Sequence, residues 1–527
     1  MSRIRGVLFL AALLIPVSAW SQASNSTVRG SVRDQGQAVI PAAKVTLLNT
    51  ATNVARETVT NSAGLYVFPS VLPGTYRVKV EFPGLQTFEG ALTVQVQQDA
   101  SVDVTMQIAS ATTTVNVVDV TPMVRTDSPS LGSSLERQRI EQLPVNGRGY
   151  QNLLVTVPGV QWSSHGHGIG GRIQGNGLRT GTNVLLVDGA PQNEVWEGWD
   201  VARQPSLDAL DELRIEVNNA SAKFSRPTSV VMSTRAGTNE LHGAMFYTNR
   251  NSGYGVARRR EDYYVKPPFV NRNEYGLSLG GPVIIPRLYN GRNRTFFFWN
   301  WEQTRFVTNT TTRMSVPTVE MRNGDFRGLV DEQGRAYTLY DPMTTDRTTW
   351  ARQPLAFRGV PNTIDPARIS PAAKFLFDHT ALPTHPQINP LIDSNWIGQS
   401  RRPLDQDTRN IRVDHRISEK DQVFARFSYN QHWEQLGGNN APFLPIDGMR
   451  VIEQTTRWWP NHSLSTTWLH IFSPTLTNEL LVSGLRDWHN RGAGDNQTNY
   501  AALLGLPNPF GARNWPVVDG MNLGNYS

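Results

Sequence analysis

The chain contains no cysteine among its 527 residues. Disulfide scaffolds, thiolate metal sites and cysteine nucleophiles are therefore excluded. Zinc peptidase motifs are also missing, since neither His-x-x-Glu nor His-Glu-x-x-His occurs in the sequence. No serine elbow, phosphate loop or carboxylate pair stands in a context that supports catalysis. We expect a protein that is not an enzyme and that has no cofactor and no resident metal.

Long apolar segments are missing after the N-terminus, where Arg3 and Arg5 precede an apolar run at residues 6–17. Small residues follow this run, and cleavage after Ser21 or after Ala23 fits their pattern. Residues 1–23 are therefore predicted to be a secretory signal peptide. No later stretch reaches the roughly 18 apolar residues that a membrane helix requires, so we expect an exported protein without a helical anchor.

The chain also lacks a concentrated patch of one charge. Its net charge of +6 comes from 50 basic and 44 acidic residues, and its one short basic run is at residues 258–260. Nucleic acid is not expected as a partner, because its recognition needs a basic face with interleaved aromatic residues. Glycine and aromatic residues are plentiful, with 43 Gly, 14 Trp, 14 Tyr and 20 Phe, which favours strands and turns over helices. The composition predicts a mainly β fold.

Short alternating strands separated by turn residues fill residues 27–108. An example is the series Tyr76, Val78 and Val80, which follows a Pro-Gly turn. Even strand spacing of this kind predicts an antiparallel β-sandwich of about seven strands.

Five parts of this region resemble the carboxypeptidase regulatory-like domain. They are residues 30–34, 40–45, 61–66, 72–76 and Gly84. The fold of that family is grouped with prealbumin-like and starch-binding modules. The resemblance therefore implies either a folded adaptor or a glycan-binding sandwich.

The next segment, residues 109–130, is rich in threonine and valine. Its centre consists of Thr112, Thr113, Thr114, Val115, Asn116, Val117 and Val118. One interpretation is an edge strand that pairs with a partner protein, because an unpaired strand edge is a template for another strand. The other interpretation is a plain linker.

The unit that follows has mixed α and β patterns. A short amphipathic helix is predicted at residues 135–143. Four branched apolar residues at 184–187 predict a buried strand that runs into a tight turn at Asp188 and Gly189. Residues 213–217 alternate apolar and charged side chains, which predicts a strand with one face in water.

Spaced motifs in this unit, residues 131–236, and directly after it resemble the plug domain of TonB-dependent outer-membrane receptors. The motifs are at residues 143–150, 157–160, 178–181, 187–189, 212–217, 219–226 and 237–243. The resemblance implies that Arg179, Asp188, Gly189 and Glu216 have structural roles, through polar contacts inside the plug or at its release. It also implies an α+β fold for this unit.

Aromatic and imidazole side chains cluster in the loops of this unit. They are Trp162, His165, His167, Trp196 and Trp199. Aromatic faces stack on sugar rings or bind cations, and two nearby imidazoles help to hold a metal chelate, so these residues are candidate substrate contacts. The alternatives are packing against a surrounding barrel for the tryptophans and a flexible polar loop for the histidines.

Residues 237–527 have the pattern of an outer-membrane β-barrel, in which lipid-facing apolar residues alternate with lumen-facing polar residues. Strands are predicted at residues 241–250, 272–283, 294–306, 407–417, 421–432, 456–472 and 475–490. Long and short connections alternate between them, as in barrels with long outer loops and short periplasmic turns. A receptor barrel of the resembling family has about 22 strands, so we expect these to be the first strands of a longer protein.

Parts of the later chain, residues 273–282, 294–305 and 414–429, resemble the Oar-like branch of these receptors, which carries the same sandwich before its plug. The resemblance implies a Gram-negative outer-membrane receptor that imports an unknown solute, such as a siderophore, a glycan or a peptide. Its implied partners are outer-membrane lipid and a TonB–ExbB–ExbD-type energising complex, with residues 112–118 as the coupling strand. The alternative is a non-transporting surface protein that mediates adhesion or binds carbohydrate.

Overall fold

The computed structural model of the protein describes most of the chain after residue 25. The described residues are 26–108, 117–119, 131–143, 145–164, 171–179, 182–193, 205–218, 224, 226–254, 269–436, 455–473, 476–488, 490–493, 499–509 and 511. The predicted signal peptide lies outside this set, as do residues 112–116, His165, His167, Trp196 and Trp199. None of the helices in the described part has the length and apolar character needed to span a membrane.

The N-terminal sandwich has two facing sheets. Its strands are β1 (Ser26–Asp34), β2 (Lys44–Asn49), β3 (Ala55–Val59), β4 (Leu65–Val71), β5 (Gly74–Glu81), β6 (Phe88–Val94), β7 (Asp99–Ser101), β8 (Val104–Met106) and β9 (Val117–Asp119). One sheet has the order β4–β1–β7, with β8 also paired to β1, and the other has the order β3–β2–β5–β6–β9. Alternate residues of β5, namely Tyr76, Val78 and Val80, point into the shared core and are buried.

The pairing in the sandwich is mixed, whereas the sequence predicts a wholly antiparallel arrangement. Strand β1 pairs in parallel with β7 and β8, and β6 pairs in parallel with β9. The physical reason is that the chain crosses from one sheet to the other after β6 and crosses back after β8. A crossover connection returns the chain in the same direction as its new neighbour, which a hairpin cannot do.

The central domain, residues 131–236, is built on a five-stranded sheet with the order β10–β15–β16–β13–β14 and a separate β11–β12 hairpin. Its strands are β10 (Leu131–Glu136), β11 (Val160–Ser164), β12 (Gly171–Gly175), β13 (Asn183–Val187), β14 (Ala190–Pro191), β15 (Leu210–Asn218) and β16 (Thr228–Thr234). Its helical segments are Arg137–Gln142, Asn146–Arg148, Gln151–Leu154 and Leu207–Ala209. The predicted buried strand is confirmed, because all five residues of β13 are buried. Asp188 and Gly189 follow it with φ values of 48° and 81°, as a tight turn requires.

The predicted wet face of β15 is wrong. Glu212, Arg214 and Glu216, its charged residues, are each no more than 5% exposed. The sandwich corner between β6 and β7 covers them, and Val96 of that corner packs into an apolar cluster of the central domain. The charged face is therefore an internal surface between two domains.

The wall sheet consists of strands β17, β18, β21 and β24 to β28, and its neighbouring strands are antiparallel throughout. The strands are β17 (His242–Asn251), β18 (Val270–Pro282), β21 (Thr295–Met314), β24 (Trp396–Arg416), β25 (Asp421–Leu436), β26 (Thr455–Ser473), β27 (Leu476–Asp487) and β28 (Asn490–Ala493). The predicted alternation is confirmed: Leu464 and Val482 are exposed on one face, whereas Asn300 and Ser465 are buried on the other. The sheet is open, since β17 and β27 do not pair with each other.

Two wall strands are longer than predicted. The β21–β24 ladder runs without interruption from the pair Thr295–His415 to the pair Met314–Trp396. The sequence expectation ended β21 at residue 306 and began β24 at residue 407. Most residues of the added parts, 307–314 and 396–406, are polar, and their few apolar residues do not alternate along the chain, so the signal used to find strands is absent there.

The connections at the two ends of the wall sheet differ in size. Residues 315–395, which link β21 to β24, form a small folded unit with helices Val319–Arg322 and Pro371–Asp378, turns Pro342–Thr344 and Pro366–Arg368, and strands β22 (Ala356–Phe357) and β23 (Val360–Pro361). At the other end β18 and β21 are joined by the short hairpin of β19 (Ile284–Ile285) and β20 (Tyr289–Asn290). The remaining helical segments are Ser252–Tyr254 and Tyr500–Leu503.

Candidate functional site between the central domain and the wall

The turn after β13 places Asp188 against the wall sheet. Its carboxylate accepts two hydrogen bonds from Thr234 of β16, one from the backbone N–H at 2.9 Å and one from Oγ1 at 2.7 Å. Asp188 is only 4% exposed. A buried carboxylate needs a cation, and the central domain supplies none of those that contact it.

Two arginines of the wall sheet provide the positive charge. Arg412 of β24 and Arg426 of β25 are direct cross-strand partners, an arrangement that is unfavourable for two like charges. The Asp188 carboxylate lies 3.3 Å from an Arg412 nitrogen and 3.0 Å from Arg426 Nε. Arg412 is also paired with Asp414 at 2.8 Å and donates to the Thr234 carbonyl at 2.9 Å. We call Asp188, Arg412 and Arg426 the charged clamp.

A second set of polar contacts joins the central domain to β21. Arg148 lies 2.9 Å from Asp208 of its own domain and 3.0 Å from Glu302 of the wall. Nearby, the Ser206 hydroxyl donates to the Asn300 side chain. Together with the charged clamp, these contacts attach the central domain to three neighbouring strands of the wall. These contacts are polar, so water that enters can replace each of them in turn.

The buried charges of β15 attach the central domain to the sandwich. The Val96 N–H donates to Glu212 at 2.7 Å, and Arg214 donates to the carbonyls of Val96 and Gln97 at 3.1 and 2.9 Å. Arg214 is also paired with Glu216. Burial raises the pKa of Glu212 to about 7, against the opposing effect of the Val96 hydrogen bond.

We expect the Glu212→Gln substitution to remove a pH dependence of stability. The pKa of Glu212 is higher in the folded protein than the value of about 4.3 in an unfolded chain, so the folded state binds more protons between these values. Stability therefore falls as pH rises from about 4.5 to 7, by on the order of 3 kcal/mol in full, and the fall stops above the folded pKa. Thermal unfolding from pH 4.5 to 8 should show that stability changes less with pH in the variant than in the wild type.

Glu57→Gln is the control. Glu57 forms an exposed pair with Lys44, and this variant should keep the wild-type dependence of stability on pH. Parallel curves for Glu212→Gln and wild type would contradict the assignment.

Comparison with known families identifies the wall. The profile of the outer membrane beta barrel domain matches residues 233–526, which is more than half of the chain. The chain belongs to the outer membrane β-barrel family. Two further profiles match this outer-membrane β-barrel protein: the carboxypeptidase regulatory-like domain at residues 27–107 and the TonB-dependent receptor plug domain at residues 124–227. The three matches support a TonB-dependent receptor located in the outer membrane.

Two receptors and one transporter of known structure resemble the outer-membrane β-barrel protein over part of their length. The siderophore receptor PirA from Acinetobacter baumannii is 14% identical, with 68% of this chain and 40% of that chain covered and a TM-score of 0.39. The transporter YddB from Escherichia coli is 10% identical, with 69% and 40% covered and a TM-score of 0.42. The ferric enterobactin receptor PfeA from Pseudomonas aeruginosa is 11% identical, with 70% and 43% covered and a TM-score of 0.38. The chain thus spans about two fifths of the length of these three proteins. A search of the curated proteins finds no match.

The predicted plug residues of the outer-membrane β-barrel protein lie in three different places. Asp188 faces the wall, with Gly189 next to it in the turn, whereas Glu216 is paired with Arg214 and faces the sandwich. Arg179 is exposed, and its carbonyl accepts a hydrogen bond from Thr182 Oγ1 at 2.6 Å. These residues therefore do not form one constellation.

The predicted substrate and coupling residues fall mostly outside the described part. Trp162 lies in β11, where it pairs with Ile173 of β12, and Val117 and Val118 lie in β9. The remaining members of both predicted groups are not described. Within the described residues, no group of three or more histidine and carboxylate side chains is arranged to hold a metal ion.

The sequence interpretation missed the wall arginines of the clamp. A signal was present, because Arg412 and Arg426 occupy lumen-facing positions in two consecutive predicted strands joined by a short turn. Two such arginines come face to face when the hairpin forms, and this predicts an acidic partner from elsewhere in the chain.

Proposed function

We propose that this chain forms part of a TonB-dependent transporter, which binds an extracellular solute and imports it through a barrel closed by the central domain. The charged clamp is the observation that carries the proposal. A domain that only decorates a barrel has no need to bury a carboxylate against two wall arginines. A domain that must close the pore and later move away from the wall needs ion pairs that are strong while water is excluded and weak once water reaches them.

The order of events in this proposal follows from where the contacts lie. The clamp residue Asp188 is at the end of β13, which pairs in parallel with β16 in the central sheet. A pull that shears this sheet separates Asp188 from Thr234 and from the two arginines. Water then solvates the separated charges, the attachment weakens, and a path opens beside the wall.

The pull is proposed to come from a TonB–ExbB–ExbD-type energising complex that binds residues 112–118. The end of this segment, Val117 and Val118, lies in β9 at the edge of the sandwich sheet order β3–β2–β5–β6–β9. Among the described strands β9 pairs with β6 alone, so its other side offers backbone groups to a partner strand. This position supports the interpretation of the segment as a coupling strand rather than a plain linker.

The imported solute is proposed to be a siderophore, a glycan or a peptide, with Trp162, His165, His167, Trp196 and Trp199 as its contacts. The support is chemical, since indole and imidazole groups bind sugar rings, cations and metal chelates. The sandwich before the central domain supports assignment to the Oar-like branch.

Replacement of residues 112–118 by a seven-residue Gly-Ser linker should abolish uptake and leave solute binding unchanged. The replacement keeps the length of the chain but removes the strand-forming side chains, so the coupling to the energising complex is lost. It also removes Val117 and Val118 of the three-residue edge strand β9, while the β3–β2–β5–β6 part of that sheet is unchanged. Uptake and surface binding are measured in cells with a panel of ⁵⁵Fe-labelled siderophores and fluorescently labelled oligosaccharides and peptides.

The control for this experiment is the same replacement at residues 120–126, which should retain uptake. Loss of both binding and uptake in the 112–118 variant would contradict the assignment of these residues as the coupling strand. Binding that never leads to energy-dependent uptake in the wild type would favour the non-transporting surface protein.

A further inference from the structure

A cavity lies where the sandwich, the central domain and the wall sheet meet. Its volume is about 150 Å³. Its apolar walls come from two domains: Leu47, Val54 and Leu72 of the sandwich, and Phe296, Phe424 and Leu469 of the wall. An engineered apolar cavity of about this volume takes up one benzene molecule, so the space suits a body of one six-membered ring.

Besides Arg412 of the charged clamp, three further guanidinium groups line this cavity: those of Arg56, Arg294 and Arg416. Each of them donates to backbone carbonyls, with Arg56 bonded to Ser70 at 3.3 Å, Arg416 to Ala55 at 3.1 Å and Arg294 to Arg416 at 3.2 Å. Among the described carboxylates, none lies within ion-pair distance of these three groups. Carbonyl oxygens satisfy N–H donors but do not neutralise a charge.

The acidic residues of the cavity do not balance these cations. Asp414 is held by Arg412 through two hydrogen bonds of 2.9 and 2.8 Å. Burial raises the pKa of the other, Asp211, which favours its neutral form. Burial and the neighbouring Arg416 both lower the pKa of Arg56, which is the expected effect on a cation that has left water without a counterion. The cavity therefore carries an excess of positive charge beside apolar walls.

We propose that this cavity is a binding site for a small monocarboxylate with an apolar body of about one ring. The carboxylate binds between Arg56 of the sandwich and Arg416 of the wall, where guanidinium groups suit the planar, two-oxygen geometry of a carboxylate. The ring lies against the leucine and phenylalanine side chains. The volume favours a body of one ring, and the guanidinium groups select against uncharged analogues.

Binding at this place has a mechanical consequence, because the two arginines belong to different domains. A ligand that contacts both stabilises the docked sandwich and favours the closed arrangement of the three domains by the free energy of its binding. The inference does not depend on which solute the protein imports.

The test uses the full chain in detergent, with benzoate as the probe and titration calorimetry as the readout. Benzoate should bind, whereas benzyl alcohol, which lacks the charge, and acetate, which lacks the ring, should bind at least about tenfold more weakly. Arg56→Gln and Arg416→Gln should each weaken benzoate binding by about 10- to 100-fold. Arg33→Gln, on an exposed residue of the same sandwich outside the cavity, is the matched control and should bind like the wild type.

A further variant covers the case in which the arginine variants do not fold. Val54→Phe fills the cavity from the sandwich side and keeps all three guanidinium groups, and it should abolish benzoate binding. Failure of benzoate to bind the wild type, equal binding of benzyl alcohol, or undiminished binding by Val54→Phe would each overturn the proposal.

Discussion

Asp188→Asn should cost about 3–5 kcal/mol in the free energy that holds the central domain to the wall, which is the usual effect of removing one partner from a buried ion pair. The substitution keeps the shape of the side chain and one oxygen that accepts from Thr234. It removes the negative charge that separates Arg412 from Arg426, and these two are opposite each other in the β24–β25 register. Asp414 still pairs with Arg412, so Arg426 loses its one described carboxylate. Urea unfolding in detergent and ion conductance in planar bilayers measure the loss.

The control for this prediction is Asp405→Asn. Asp405 pairs with Arg305 on the same wall sheet, but both side chains are at least one third exposed, so the change should cost less than about 1 kcal/mol. The double variant Asp188→Asn with Arg426→Gln should recover part of the loss, because it removes the unmatched guanidinium as well. Equal effects of Asp188→Asn and Asp405→Asn would show that the clamp does not hold the central domain.

Gly237→Ala should prevent correct joining of the central domain to the wall, at a cost of about 3 kcal/mol or more. A Cβ atom at this position would lie 2.3 Å from the Phe297 carbonyl oxygen, 2.7 Å from the Gly281 oxygen and 2.8 Å from the Phe297 nitrogen. All three are backbone atoms of the β18–β21 ladder, so no side chain can rotate out of the way. The ladder itself must shift, and the yield of folded protein in outer membranes and the urea midpoint should both fall.

Gly328→Ala is the matched control for this glycine. No atom lies within 4 Å of a Cβ added at Gly328, in the unit of residues 315–395. The change should therefore alter stability by no more than about 0.5 kcal/mol. A small effect of Gly237→Ala, similar to that of Gly328→Ala, would show that the junction has more room than its backbone contacts indicate.

Elements that depend on local pattern could be predicted from the sequence. The wall strands were found because each carries its own alternation, and the turn at Asp188 and Gly189 because few other residues accept positive φ. Tertiary contacts could not be found in this way. The alternation at residues 213–217 is the same whether the charged face of the strand contacts water or another domain. The local sequence does not distinguish a solvated Glu212 from one covered by Val96.

In the candidate site too, the local turn could be predicted from the sequence but the tertiary contacts could not. Asp188 was singled out by its turn, but its partners are 224 and 238 residues further along the chain. Their identity depends on how the wall curves around the central domain, which is a property of the assembled sheet. The cavity beside Arg56 and Arg416 could not be predicted from the sequence either, because the residues that line it belong to three separate domains.

The length of β21 and β24 has a consequence for the end of the wall sheet that carries residues 315–395. Beyond Thr308 and Leu404 these strands have ladder partners only in each other among the described strands, so residues 309–314 and 396–403 form a two-stranded stalk. At about 3.4 Å per residue and a tilt of about 40°, β21 rises about 50 Å, whereas the apolar band of a barrel is about 25 Å tall.

The stalk carries residues 315–395 away from the rest of the wall sheet, and the buried Asn395 closes its tip through two hydrogen bonds of 2.8 Å with the Val316 backbone. This unit is folded in the absence of a solute. Under the proposed function, a solute that contacts the unit therefore bears little of the entropy cost of ordering a loop, and more of the contact energy is retained as affinity.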